Sequence, residues 1–134
     1  MSTSAKYSKV MIVDDNELDN FINKKLIESE DFASEVMDYT SATDALSYLK
    51  KGVANISLLP QIIFLDIIMP GMDGFAFLDE FEKLNEDIRK KCKIIMLSTT
   101  ESFTELNRAN QNRYVRKFLN KPLSPAMLKA INFA

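Results

Sequence analysis

The chain has 134 residues, of which 46% are hydrophobic and 27% charged, and its formal net charge is −2. This length suits a single domain with its own core, and these proportions argue against disorder. The slight negative charge disfavours nucleic-acid binding. Because the chain contains no histidine, we exclude His-based zinc sites, Ser/His/Asp catalysis and a phosphohistidine on this chain.

The single cysteine, Cys92, has no partner for an internal disulfide. We therefore expect a small buried thiol in a reducing compartment. No stretch approaches the roughly 18 apolar residues of a membrane span, and residues 1–8 do not resemble a secretory signal. We expect a soluble cytoplasmic protein with no membrane segment and with a flexible tail over residues 1–7.

The N-terminal half of the chain alternates strand and helix patterns. A short β-branched run at residues 10–13 predicts a strand, and apolar residues at helical spacing predict a helix over residues 17–29. A weaker strand is predicted at residues 35–39, followed by a helix over residues 43–51 that stops at Gly52.

The C-terminal half continues the alternation. Its predicted strands lie at residues 62–65, 94–97 and 117–120, and its predicted helices at residues 75–92 and 101–113 and for about ten residues from Ser124-Pro125. The Asn-rich helix at 101–113 is the weakest pattern. Nearly continuous apolar strands separated by helices are typical of a parallel sheet covered on both faces. The five βα units predict a doubly wound α/β fold with right-handed crossovers.

Polar residues follow the predicted strands: Asp14 and Asp15 after the first, Asp66 after the third, Ser98 at the end of the fourth and Lys121 after the fifth. Ligands of open parallel sheets bind beyond the carboxyl ends of the strands, so we expect these side chains to converge. Two carboxylates about 5 Å apart repel by roughly 3 kcal/mol at an effective dielectric constant near 20. Either the pKa values of these carboxyl groups rise or cations offset the repulsion. Lys121 together with Mg²⁺, which prefers oxygen ligands, would supply the positive charge.

The segment from Asp66 to Gly74 reads DIIMPGMDG. Pro70 and Gly71 predict a tight turn directly after the strand, and Gly74 allows the next helix to begin. We expect this turn to leave Asp66 exposed at the edge of the sheet and to direct the Ile68 carbonyl group toward the metal.

The acidic pair, the D-x-x-M-P-G-M-D-G run, the strand-end hydroxyl and Lys121-Pro122 occur in this order along the chain. In this combination the chain resembles the receiver domains of two-component response regulators, from Val10 to about Phe133. The resemblance implies one receiver domain over residues 1–134, of the stand-alone type. It also implies a flavodoxin-like receiver fold with a five-stranded parallel sheet in the order 2-1-3-4-5.

The resemblance also implies the roles of the acidic residues. Asp66 would be the phosphoacceptor. Asp15, Asp66 and the backbone carbonyl of Ile68 would bind Mg²⁺, and Asp14 would act through a metal-bound water. The Ile68 side chain departs from the polar residue that many relatives carry at this position, next to the phosphoryl group.

Further residues would contact the phosphoryl group or respond to it. Lys121 would pair with the phosphoryl group and Ser98 would donate a hydrogen bond to it, while Phe118 falls at the position of an aromatic switch residue. The phosphodonor would be a histidine kinase or a histidine phosphotransfer protein. The output would be contact with a downstream protein or a second copy, through the face that runs from Glu101 to Ala134.

Such a domain is not an enzyme beyond its own phosphorylation and dephosphorylation. A pseudo-receiver that works without phosphorylation is disfavoured, because the acidic pair, Asp66 and Lys121 are all present. An aspartyl-phosphate phosphatase of the haloacid-dehalogenase type would need a second aspartate at position 68, where this chain has Ile68. A nucleotide-binding G-x-x-x-x-G-K-[ST] loop is absent from the sequence.

Overall fold

Five parallel strands form a single sheet in the order β2-β1-β3-β4-β5. The computed structural model describes residues 5–99 and 102–133. Within them the strands are β1 (Tyr7–Val13), β2 (Ala33–Tyr39), β3 (Ile62–Leu65), β4 (Lys93–Ser98) and β5 (Val115–Asn120). The predicted α/β class and the strand order 2-1-3-4-5 are confirmed, and each of the five predicted strands is present.

Helices cover both faces of this sheet. In the described ranges they are α1 (Glu17–Ser29), α2 (Ala42–Lys51), α3 (Gly74–Glu82), α4 (Glu86–Lys91), α5 (Phe103–Gln111) and α6 (Pro125–Ala130). Side chains of α1 and α6 pack on one face, and those of α2 to α5 pack on the other. The central strand β3 is consequently buried at every position, which explains its continuous apolar sequence.

The side chains of β1 alternate between the two layers of the core, as the pleat of a strand requires. Val10 and Ile12 contribute to the cluster beneath α1 and α6, whereas Met11 and Val13 contribute to the cluster beneath α2 to α5. All four side chains are fully buried. Two hydrophobic layers therefore hold the strand from both sides and fix where its carboxyl end lies.

The single helix predicted over residues 75–92 is wrong, because this region contains the two helices α3 and α4. The chain leaves the helical path after Glu82, and Asn85 begins the second helix. The Asn85 Oδ1 atom accepts a hydrogen bond from the Asp87 N–H group at 2.8 Å. An asparagine side chain at this position satisfies one of the free N–H groups of a helix start, which favours the new start over a continuous helix.

The two C-terminal helices are both shorter than predicted. Helix α5 has nine residues and forms despite its asparagines, and Glu101, at the start of its predicted range, lies outside the described residues. Helix α6 has six residues instead of about ten. Its predicted cap is present, because the Ser124 hydroxyl accepts a hydrogen bond from the Met127 N–H group at 3.2 Å.

Helix α1 turns its most apolar side to the solvent. The spacing of Leu18, Phe21 and Ile22 correctly predicts a helix, but these side chains are 65%, 59% and 53% exposed. The buried positions include Asn20 and Asn23. Buried amides need polar partners, and backbone carbonyl groups at the ends of β1 and β2 supply them to Asn20.

The N-terminal strand is tied to the C-terminal end of the described chain. The Tyr7 hydroxyl accepts a hydrogen bond from the Phe133 N–H group at 2.8 Å, and the Lys6 ammonium donates to the Ile131 carbonyl oxygen. Tyr7 is buried and belongs to β1, so the predicted flexible tail over residues 1–7 does not extend to this residue. Residues 1–4 lie outside the described ranges.

Two further properties of the chain bear on the expectations from sequence. No described helix is both long enough and apolar enough to cross a bilayer.

Cys92 is buried directly before β4, and this burial raises the pKa of its thiol to about 12. At neutral pH the thiol therefore stays protonated and unreactive, in line with the expected packing role.

The loop between β3 and α3 depends on two glycines for different reasons. Gly71 has a φ angle of 79°, in the left-handed region that other residues rarely adopt, and no heavy atom lies within 4 Å of a Cβ placed there. Gly74 is limited by space, because a Cβ atom would lie 2.5 Å from the Asp66 carbonyl oxygen and 2.9 Å from the Ile67 Cα. Only glycine allows α3 to begin directly against the backbone of Asp66.

We predict that Gly74→Ala destabilises the protein by about 1–3 kcal/mol, the usual cost of forcing an extra group into a packed region. The matched substitution Gly71→Ala should cost about 1 kcal/mol, because it adds backbone strain without a clash. Urea denaturation followed by circular dichroism measures both values. A Gly74→Ala protein as stable as the wild type would show that α3 does not need this close approach.

Candidate functional site

Backbone hydrogen bonds hold the ends of adjacent strands at one edge of the sheet. The Asp14 N–H group donates to the Tyr39 carbonyl oxygen at 3.0 Å, and the Asp66 N–H group donates to the Val13 carbonyl oxygen at 3.0 Å. Farther along the sheet, the Lys121 N–H group donates to the Ser98 carbonyl oxygen at 2.9 Å. The hydrogen bonding of the strands thus extends to Asp14, Asp66 and Lys121, the residues that follow them. This fixes the backbone positions from which these side chains project.

Three aspartates meet at this edge, as predicted. One carboxylate oxygen from each of Asp14, Asp15 and Asp66 lies within 4.8 Å of the other two. Asp15 is exposed, whereas Asp14 and Asp66 are only 2% and 7% exposed. The expectation that Asp66 is exposed is therefore wrong, because the loop after it packs back over the sheet and buries Ile67 and Met69.

The Lys121 ammonium group contacts three carboxylates. Its Nζ atom lies 2.5 Å from Asp14 Oδ2, 3.0 Å from Asp19 Oδ2 and 3.3 Å from Asp66 Oδ2. The predicted convergence of Lys121 with Asp14 and Asp66 is thus present in the structure. Asp19, in the first turn of α1, was not predicted from the sequence. The available signal was its position one helical turn from the acidic pair, on a helix whose start was predicted correctly.

Helix α1 also organises Asp14 and its neighbours. The Asn16 N–H group donates to Asp14 Oδ1 at 3.0 Å, and the Asn20 side-chain amide donates to the Asp14 carbonyl oxygen at 2.9 Å. The helix cap is Asn16, whose Oδ1 atom accepts from the Asp19 N–H group. Because Asn16 performs the capping, the Asp14 and Asp15 carboxylates are available for the cluster.

The pKa values of the buried pair reflect the competition between burial and charge. Burial raises the pKa of Asp14 above its usual value and the nearby Asp66 adds to the rise, while hydrogen bonds from Lys121 and Asn16 oppose it. Burial alone would lower the pKa of Lys121, but its hydrogen bonds to Asp14 and Asp19 and the charge of Asp66 outweigh burial, so this pKa lies above its usual value. Lys121 is therefore a permanent cation at neutral pH.

The charges and ligand atoms of this cluster fit a hard divalent cation. Three carboxylates contact the Lys121 ammonium group, and Asp15 adds a fourth carboxylate beside Asp14 and Asp66, so the edge keeps an excess of negative charge. The donor atoms are oxygens, and neither histidine nor cysteine is among them. Mg²⁺ prefers such oxygen ligands and retains several waters, which agrees with a cluster that is buried on one side and open at Asp15.

The remaining predicted residues occupy three different environments. Ser98 is completely buried, and its hydroxyl oxygen has no hydrogen-bond partner within the described part of the chain. Ile68 lies in the loop after Asp66 with its side chain 60% exposed. Phe118 is half-buried in β5, where it is paired with Met96 and packs against the core beneath α2 to α5. The structure thus supports a position near the edge for Ser98, whereas Phe118 already packs partly inside.

The sequence of this chain is similar to those of known proteins. A sequence profile of the response regulator receiver domain matches residues 10–132. The probable methanogenesis regulatory protein FilR2 of Methanothrix harundinacea is 28% identical over 90% of this chain and 76% of its own length. Several other curated relatives are matched over only 7% to 49% of their length, so the chain corresponds to a part of those proteins.

Solved structures share the fold over most of this chain. A two-component response regulator from Cytophaga hutchinsonii superimposes with a TM-score of 0.84, at 27% identity and with 92% of each chain covered. The receiver domain of the histidine kinase CKI1 from Arabidopsis thaliana, in complex with Mg²⁺, gives a TM-score of 0.72 at 24% identity, covering 88% of this chain and 85% of that one. The match of the profile to almost the entire chain shows that this protein belongs to the response regulator receiver domain family of two-component signalling.

Proposed function

We propose that this receiver domain accepts a phosphoryl group on Asp66 from a histidine kinase or a histidine phosphotransfer protein in the cytoplasm. The observation that carries the proposal is the 3.3 Å contact between Asp66 Oδ2 and Lys121 Nζ inside the carboxylate cluster. A nucleophilic carboxylate and a fixed cation are thereby placed side by side. The phosphorylated domain would then change the surface that it offers to other proteins.

Few protein side chains form or break covalent bonds during the phosphoryl transfer. One Asp66 oxygen forms a bond to phosphorus while the bond from phosphorus to the donor's histidine nitrogen breaks, and that nitrogen keeps the electron pair. Lys121 offsets negative charge on the phosphoryl oxygens. Hydrolysis of the acyl phosphate by water regenerates the Asp66 carboxylate. The domain would catalyse only these two reactions on itself, in a family that is not one of classical enzymes.

A bound Mg²⁺ would supply further positive charge to the phosphoryl oxygens. We assign its ligands to Asp15, Asp66 and the Ile68 backbone carbonyl, and we assign Asp14 to a contact through a metal-bound water. The cluster geometry and its oxygen-only donor set support this assignment. The CKI1 receiver domain, which shares this fold, was solved in complex with Mg²⁺, and this supports the choice of metal.

The alternatives lack support at this edge of the sheet. A receiver that works without phosphorylation has no need for a carboxylate cluster held against a buried cation, yet Asp14, Asp66 and Lys121 are all in contact. A phosphatase of the haloacid-dehalogenase type would need a carboxylate at position 68, and the side chain there is the exposed Ile68. Phosphoacceptance therefore accounts for more of the geometry than either alternative.

A protein donor is favoured by the surface of α1. The exposed apolar side chains Leu18, Phe21 and Ile22 lie on the same helix as Asp19, which contacts Lys121. Exposed apolar groups in one patch are typical of protein interaction sites. Because the helix that carries this patch also supplies Asp19 to the cluster, a phosphohistidine-bearing protein bound to the patch would present its phosphoryl group near Asp66.

We predict that acetyl phosphate with Mg²⁺ adds one phosphoryl group to the wild-type protein, because the small donor needs no docking surface. The bond should be labile to hydroxylamine, as an acyl phosphate is. Intact-protein mass spectrometry of the wild type and of Asp66→Asn measures the product. Equal phosphorylation of the two proteins would place the acceptor elsewhere and would overturn the proposal.

Mg²⁺ should stabilise the folded protein, because it relieves repulsion that exists only when the carboxylates are held together. At ten times its dissociation constant a ligand stabilises the native state by about 1.4 kcal/mol, which is roughly 3–6 °C in melting temperature for a domain of this size. Thermal unfolding with Mg²⁺ or with EDTA tests this prediction. Asp15→Asn should lose the shift, whereas Glu17→Gln, an exposed acid outside the cluster, should keep it.

We propose that Ser98 and Phe118 convert phosphorylation into a change of surface. The buried Ser98 hydroxyl lacks a partner among the described residues, so a phosphoryl group on Asp66 offers it an acceptor. Movement of the Ser98 segment would alter the packing around the half-buried Phe118, since the two residues lie on the adjacent strands β4 and β5. The face that begins near Glu101 and ends at Ala134 would then bind a downstream protein or a second copy. Glu101 and Ala134 themselves lie outside the described residues.

Beryllofluoride, a phosphoryl mimic, should change hydrogen exchange both around Asp66 and in β5. One charge-assisted hydrogen bond is worth about 1.5–3 kcal/mol, enough to shift a conformational equilibrium about ten- to a hundred-fold. Ser98→Ala should confine the changes to the Asp66 region, whereas Thr99→Val, an exposed neighbour, should leave the wild-type pattern. Unchanged exchange in β5 of the wild type would contradict the assigned switch.

A further inference from the structure

The contact between Asp19 and Lys121 brings a fourth carboxylate to the site. An ammonium group has three N–H donors, and Lys121 has three carboxylate partners, of which Asp66 is the most distant at 3.3 Å. Asp19 is the outermost partner, with a side chain 36% exposed, while the side chains of Asp14 and Asp66 are 3% and 8% exposed. The ammonium donors are therefore fully used before any phosphoryl group arrives.

The local structure of α1 explains why the Asp19 side chain is available to Lys121. Asp19 is the third residue of the helix, a position from which an acidic side chain often bonds back to the N–H group of the capping residue. Here the capping residue is Asn16, and its N–H group donates to Asp14 Oδ1 at 3.0 Å instead. The Asp19 carboxylate therefore has no capping role to fill and reaches the Lys121 ammonium at 3.0 Å.

We propose that Asp19 is a positioning residue that holds Lys121 toward the outer side of the site and competes with Asp66, and later with the phosphoryl group, for the ammonium. This inference rests on the proposed function and deepens it. Asp19 would draw the ammonium away from Asp66, its most distant partner, leaving the Asp66 oxygens freer to meet a cation. It would also keep back a donor that the phosphoryl group would otherwise engage more fully.

Removal of the Asp19 charge should weaken the binding of Mg²⁺ and strengthen the binding of a phosphoryl mimic. Without the Asp19 charge, Lys121 should move closer to Asp66, the partner now at 3.3 Å, and both that movement and the lost negative charge weaken Mg²⁺ binding. Once Mg²⁺ saturates the site, the same change should strengthen binding of a phosphoryl mimic, because one competing acceptor is gone. We expect changes of roughly two- to fivefold in each direction, the range found for ion pairs with one exposed partner.

Asp19→Asn tests this inference by calorimetry. Titration of Mg²⁺ alone should show a weaker affinity, and titration of beryllofluoride at saturating Mg²⁺ should show a tighter one. Glu17→Gln is the matched control, because it removes an exposed negative charge from the first turn of the same helix. In the described part of the chain the ion pairs of Lys121 involve Asp14, Asp19 and Asp66, and not Glu17. The effect of Glu17→Gln measures how much a distant charge contributes to each affinity.

A double-mutant cycle isolates the contact itself. In a Lys121→Met background, Asp19→Asn should change Mg²⁺ affinity no more than Glu17→Gln does, since the coupling energy between two residues disappears when one is absent. Loss of both affinities in Asp19→Asn, or changes equal to those of Glu17→Gln, would overturn the positioning role. If the wild type itself binds neither Mg²⁺ nor beryllofluoride, the proposed function fails and the positioning role of Asp19 fails with it. If the wild type binds both but Asp19→Asn does not shift the two affinities in opposite directions, only the positioning role fails.

Discussion

The architecture of the site depends on the Lys121 ammonium group. It connects the segment after β5 to the ends of β1 and β3 and to the first turn of α1, through carboxylates at 2.5 to 3.3 Å. Two of these carboxylates are almost completely buried, and buried charges of like sign are tolerated only when a cation offsets them. The parallel sheet brings the carboxylates together, and Lys121 makes that arrangement compatible with a folded protein.

The polar inner side of α1 is the second condition for the site. A helix with a wholly apolar inner face would remove the side-chain amide that donates to the Asp14 carbonyl oxygen after β1. Asn20 donates to the Asp14 and Tyr39 carbonyl oxygens, and Asn16 donates to the Asp14 carboxylate. These hydrogen bonds fix the position of Asp14, which is therefore held by the backbone, by a side-chain amide and by a cation at once.

Much of this arrangement was predictable from the sequence, because the carboxyl ends of parallel strands must meet at one edge. The strand ends alone brought Asp14, Asp66 and Lys121 to one place. The contact between Asp19 and Lys121 was not predictable in the same way. It depends on the Asn16 N–H group donating to Asp14 and not to Asp19. The break between α3 and α4 likewise depends on one asparagine cap, and the direction of the apolar side of α1 depends on how the helix is rotated about its axis. Tertiary contacts determine these three features, and the periodicity of apolar residues in the sequence does not reveal such contacts.

The outward orientation of Leu18, Phe21 and Ile22 separates the evolution of recognition from the evolution of the fold. Side chains that are more than half exposed contribute little to the core, so substitutions among them leave the packing of α1 nearly intact. The buried positions of the helix lie on its inner side, at Asn20, Asn23 and Ile27. Paralogous copies of such a domain within one cell could therefore diverge at the proposed partner surface while the carboxylate cluster beside Lys121 stays the same.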